Sequence, residues 1–146
     1  MTLVWKFLAG AVAVGVVLVA GIALWSQNGE RRIVAAADQF RVPQDWVVLS
    51  QRVQGPRPVG IGDVACPSLT RRWRAPTDMT SSDLSKLITS SGWNLNLENE
   101  CQPRPGAAFL GRSCSAVGQV DGYRAQLYYK SPSTDSATPT LTLFLQ

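Results

Sequence analysis

Histidine is absent from the 146-residue chain. That removes the commonest general base near neutral pH, the commonest zinc ligand, and every Ser-His or Cys-His nucleophile pair. The three cysteines, Cys66, Cys101 and Cys114, form no Cys-x-x-Cys, so a metal site lacks its usual ligands twice over. No catalytic residue, cofactor or metal ligand is therefore assigned, no enzymatic activity is expected, and the many serines read as loop residues and helix caps. Charge is sparse too. Charged residues make up 16 % of the chain, the net charge is +4, and no long basic run occurs. Nucleic-acid binding draws on dense Lys/Arg patches interleaved with stacking aromatics, so no nucleic acid is expected as a partner. There is no internal repeat, and low complexity is confined to the short SPSTDSATP.

What the chain does have is one long uncharged stretch, the 19 residues from Phe7 to Trp25. That is close to the ~20 residues a helix needs to cross a bilayer core. Trp5 and Trp25, with Lys6, stand about 30 Å of helical rise apart, one at each expected lipid–water boundary. Within the stretch, AGAVAVGVVLVAGIA is about half glycine and alanine. At 100° per residue Ala9, Ala13, Ala20 and Ala23 share one sector, with Gly10 and Gly21 along its border. Small side chains let spanning helices approach closely, so this sector predicts a helix interface with integral membrane subunits. Arg31 and Arg32 run against the positive-inside preference, although long domains cross largely regardless of charge. Cleavage after Gly21-Ile22-Ala23 competes with anchoring, and the length of the apolar run weighs against it. The expectation is a single-pass membrane protein, amino terminus cytoplasmic and carboxyl-terminal domain extracytoplasmic.

Three segments follow: an anchor over 1–28, a juxtamembrane helix over 29–43, and an α+β domain over 44–146. In ERRIVAAADQF, Ile33, Ala36, Ala37 and Phe40 share a helical face, and Pro43 ends the helix. That face is expected to pack on the domain, the headgroup layer being the alternative. Residues 45–53, DWVVLSQRV, read as a strand, and VGIGDVACP as a second. TSSDLSKLITSS carries Leu84, Leu87 and Ile88 at helical spacing, with Thr80 and Asp83 as a capping box and Gly92 as a stop. WNLNLENEC alternates, placing Trp93, Leu95, Leu97 and Cys101 inward and the carboxylates Glu98 and Glu100 on a solvated face. In SAVGQVDGYRAQLYYK, Asp121-Gly122 marks a two-residue hairpin whose return strand points Tyr123, Ala125, Leu127 and Tyr129 inward. TLTLFLQ supplies the last strand. This order predicts an α+β fold: one amino-terminal transmembrane helix, then an antiparallel sheet with two helices packed on one face.

Cys101 ends one strand on its core face and Cys114 begins the next, so this pair is the expected disulfide. Pairings of Cys66 with either are the competitors that spacing leaves open. The leftover thiol, Cys66 in the expected case, is placed in a buried position beside Pro67. RRWRAP, residues 71–76, holds a candidate patch for an anionic partner, Arg71, Arg72 and Arg74. On a strand Arg72 and Arg74 share one face while Trp73 turns to the core, and solvated arginines around a core tryptophan are the plainer reading.

The run ACPSLTRRW, preceded by FRVPQDW and followed by a short helix, SGW and a later cysteine pair, resembles a group of small actinobacterial envelope proteins. The resemblance implies one amino-terminal membrane helix and a compact extracytoplasmic domain, mostly without assigned activity. Where the group often has a further cysteine before CPS, this chain has Ile61 and Gly62. The functional expectation is a non-enzymatic accessory subunit of a larger membrane complex. The alternative is a free-standing envelope module that recognises anionic lipid or glycan through the Arg-Trp cluster.

Overall fold

In a computed structural model, described here for residues 21, 27–55, 66–76, 78–103, 111–131 and 138–146, the hairpin at Asp121-Gly122 is formed as its sequence dictates. Both residues take positive φ, 51° and 84°, the pairing whose twist matches the strands it joins. It links β4 (Arg112–Val120) to β5 (Tyr123–Lys130) in unbroken register from Val120↔Tyr123 to Ser113↔Lys130. On the inward row Ala125, Leu127 and Tyr129 are fully buried.

The remaining strands are β1 (Val48–Gln54), β2 (Ser68–Arg74), β3 (Leu95–Pro103) and β6 (Thr140–Leu145). All six form one antiparallel sheet in the order β1-β2-β6-β5-β4-β3. The carboxyl-terminal strand thus lies at the centre and joins two halves, the β1–β2 pair and the β3–β4–β5 meander. Its alternation decides the fit: Leu141, Leu143 and Leu145 are buried, while Thr140, Thr142 and Phe144 point to the other face.

Two helices cover the inward face. The first, α1, is described over 27–38 and buries Ile33, Ala36 and Ala37, with Phe40 just beyond its end. Phe40 lies between two tryptophans, its ring centroid 5.7 Å from that of Trp73 and 5.0 Å from that of Trp93. The second, α2 (Ser81–Ser90), begins with the Thr80–Asp83 capping box and is followed by Gly92 at φ 72°. Leu84 and Ile88 are buried and Leu87 packs at the core's margin. A disulfide joins Cys101 to Cys114, Cα atoms 4.5 Å apart, stapling β3 to β4 across 13 residues of sequence.

The expected fold class requires correction. The chain is dominated by strands, a small six-stranded antiparallel sheet with two helices, and among the described residues no helix is long and apolar enough to cross a membrane. The physical reason is that each described helix has a single apolar stripe, spent on the sheet. The ten residues of α2 rise only about 15 Å against the ~30 Å of a bilayer core. The single-pass localisation, with a cytoplasmic amino terminus and an extracytoplasmic domain, is corrected by the same finding. Residues 1–20 and 22–26, on which that expectation leaned, lie outside the described residues.

Three local expectations also shift. The strand expected over 59–67 lies outside the described residues up to 65; Cys66 and Pro67 are not in a strand, and β2 starts at Ser68. Cys66 is exposed and free, not buried, because it precedes the ladder whose inward row would have covered it. Leu97 is 38 % exposed, since register shifts between Leu97 and Asn99 and again before Gln102 break the alternation of β3.

Candidate interaction surface

The sheet has a second face, away from the helices. Register fixes what stands on it. One row runs Ser50, Arg72, Thr142, Tyr128, Ser115, Asn99 across all six strands; the next runs Arg52, Thr70, Phe144, Gln126, Val117, Asn96. Arg74 and Lys130 flank Thr140 in a third row, and Arg124 follows Gln126 along β5.

Phe144 and Tyr128 occupy neighbouring central strands, one row apart, and are 40 % and 38 % exposed. A diagonal separation of about 7–8 Å lets such side chains meet. Thr142 is buried, with Arg72 and Tyr128 as its cross-strand neighbours. Toward β3 the face turns polar and acidic. The Ser115 hydroxyl donates to Glu98 Oε2 at 3.4 Å, and the Asn99 amide donates to Ser115 Oγ at 3.1 Å. Arg52, Arg72, Arg74, Arg124 and Lys130 have no ion-pair partner among the described residues.

The RRWRAP cluster is divided by the pleat. Arg72 and Arg74 lie on this open face. Trp73 is 2 % exposed in the core, and Arg71 shares its side of the sheet. There Arg71 reaches Asp38 Oδ1 at 2.6 Å, Gln51 Oε1 at 2.8 Å and the Ala37 carbonyl at 3.4 Å, with its guanidinium 5.9 Å from the Trp73 ring centroid. Of the expected anionic-partner patch, then, Arg71 ties α1 to the sheet while Arg72 and Arg74 face outward. The remaining site expectations fall mostly elsewhere: Trp5, Lys6, Ala9, Gly10, Ala13, Ala20, Ala23 and Trp25 lie outside the described residues. Gly21 is described, exposed, and has nothing within 4 Å of where a Cβ would stand.

Sequence reasoning missed Phe144, Tyr128, Arg52, Arg124 and Lys130. The signal was available in the alternation: in TLTLFL the phenylalanine falls on the threonine row, and in LYYK the first tyrosine falls on the outward row of β5. Both aromatics thus stand on the polar row of a sheet whose other face is buried.

A concavity of about 410 Å³ lies on the helix side between the 43–46 turn, residues 76 and 78–80, and α2. Trp46, Met79 and Leu87 are among its apolar lining, with Asp78, Asp83 and Lys86 among its polar members. Asp83 is committed to α2: its carboxylate accepts from the Thr80 hydroxyl at 2.7 Å and the Thr80 N–H at 3.0 Å. Those bonds hold it below its ordinary pKa, with Lys86 at 3.8 Å assisting. Nearby, burial raises the Tyr129 phenol above its ordinary value, and its hydroxyl donates to the Pro76 carbonyl at 2.7 Å. No group of three or more metal-ligating side chains occurs among the described residues. No family model, curated protein or solved structure matches the chain.

Proposed function

We propose that the chain is a non-enzymatic accessory subunit that docks onto a partner protein through the open face of its sheet. One observation supports this reading: Phe144 and Tyr128 stand exposed on adjoining central strands, one row apart, on a face whose other positions, Val117 apart, are polar or charged. Arginine and aromatic side chains carry most of the binding energy of protein interfaces. The scaffold beneath them is rigid, with the central strand paired on both sides and the β3–β4 edge stapled by a disulfide. Little ordering entropy is then lost on docking. The Arg-Trp cluster is not offered as a lipid or glycan site, since Trp73 is in the core and Arg71 is engaged by Asp38.

A photoreactive phenylalanine analogue at position 144 of the full chain, irradiated in the native host, tests this. The expected result is one discrete heteromeric adduct, absent when the analogue replaces the exposed Lys86 on the helix side and lost when Tyr128→Ser is combined with it. Identical adducts from both positions, or none from position 144, would overturn the reading.

A further inference from the structure

The docking reading says where a partner sits, and this inference rests on it; the charge of the face says what the partner is made of. We infer that the occupant of the open face is an acidic protein surface, its carboxylates meeting the arginines that surround Phe144 and Tyr128. Arg52 and Arg72 stand on the β1–β2 side of Phe144, Arg74 extends that side by one row, and Arg124 and Lys130 bracket Tyr128 along β5. The arginine turned to the other face, Arg71, is ion-paired with Asp38, whereas the five outward cations have no ion-pair partner among the described residues. The charge of the five is therefore not neutralised by an ion pair among the described residues.

Four of the five are arginine, whose planar fork binds carboxylate in bidentate fashion. The residues interleaved with them, Thr70, Thr140 and Gln126, bring hydroxyl and amide groups suited to a hydrogen-bonded rim. The charge also has a direction: Glu98 stands at the β3 end, so an acidic partner is repelled there and drawn toward β1 and β2.

The probe is a fluorescein-labelled peptide of alternating glutamate and leucine, titrated with the full chain by fluorescence anisotropy at low and at high salt. Arg72→Glu with Arg74→Glu is expected to weaken binding about tenfold or more, and Arg31→Glu with Arg32→Glu on α1 to change it less than about twofold. Arg72→Gln with Arg74→Gln gives an intermediate loss and guards against misfolding of the reversed pair. Equal losses from both reversed pairs mean net charge alone and overturn the inference. Tighter binding to phosphatidylglycerol vesicles or to oligothymidylate than to the peptide, lost with the same Arg72/Arg74 change, overturns it in favour of lipid or nucleic acid. Absence of any peptide binding overturns it as well. In that case a surviving adduct at position 144 keeps the docking role, and a missing one removes both.

Discussion

The Arg71 guanidinium lies 2.6 Å from the Asp38 carboxylate, so the ion pair crosses from β2 to the end of α1. Arg71 is 12 % exposed in its side chain and Asp38 59 %. The two partners therefore differ in what their loss costs. Arg71→Ala removes three hydrogen bonds and the cover over Trp73, a loss of about 2 kcal/mol by the usual range for charged bonds. Asp38→Ala leaves Arg71 its Gln51 and Ala37 acceptors, and at an exposed carboxylate the cost stays below about 1 kcal/mol. Urea unfolding of the two variants checks this, and equal losses would show that the pair does not tie α1 to the sheet.

Trp93 is a core residue whose indole N–H finds no acceptor among the described residues. A buried donor without a partner costs about 1–3 kcal/mol. Trp93→Phe keeps an aromatic beside Phe40 and removes the donor. Its cavity term offsets part of that gain, so stability is expected to change by less than about 1 kcal/mol, against about 3–5 kcal/mol lost in Trp93→Ala. If Phe destabilises as much as Ala, the indole N–H has a partner after all.

Cys66 is exposed and free while Cys101 and Cys114 are bonded. A native thiol titration is expected to label Cys66 alone, and to label all three after reduction and unfolding. Loss of the bond in Cys101→Ser with Cys114→Ser is expected to lower stability by about 3 kcal/mol, the loop-closure value for a ring of this size. Native labelling at Cys101 or Cys114 would contradict the pairing.

Gly118 of β4 stands opposite Leu95, the first residue of β3. An added Cβ would stand 2.7 Å from Leu95 Cδ2 and 2.8 Å from the Asn94 carbonyl oxygen. The side chain can move but the backbone oxygen cannot, so Gly118→Ala is expected to cost about 1–3 kcal/mol as overpacking. A neutral result in thermal unfolding would mean that the β3 end is not held against β4.

The capping box makes α2 acid-sensitive. Asp83 has a folded pKa below its ordinary 3.8, so its contribution is complete above that value and is lost as pH falls through the folded one. The difference in melting temperature between the native chain and Asp83→Asn should be largest near neutral pH and shrink toward strong acid. A difference independent of pH would remove the carboxylate from the argument.

Much of the local structure was legible because it is decided by neighbours in sequence. Asp121-Gly122, the Thr80–Asp83 box, Gly92 and the inward rows of β5 and α2 all follow from spacing or from φ requirements that few residues meet. The Cys101–Cys114 pairing was readable for a similar reason, each cysteine lying at the facing end of adjoining strands. The bulges of β3 were not legible. They depend on how Glu98 and Asn99 settle against Ser115, a cross-strand matter that alternation in one strand cannot reveal.

By itself, the amino-acid sequence determined the helix over Ser81–Ser90, the Asp121-Gly122 hairpin, the buried stripe of α1 and the inward row of β5, and that no histidine-based chemistry is available. Tertiary structure alone decided that TLTLFL lies at the centre of the sheet, which puts Phe144 and Tyr128 on adjoining strands and gathers Arg52, Arg72 and Lys130 onto one face from strands far apart in sequence. It also decided that Arg71 pairs with Asp38 while Arg72 and Arg74 face outward unpaired. The reason is physical: periodicity constrains the face a residue takes within its own strand, but strand order is set by which apolar rows bury best together, and that is a property of the whole chain.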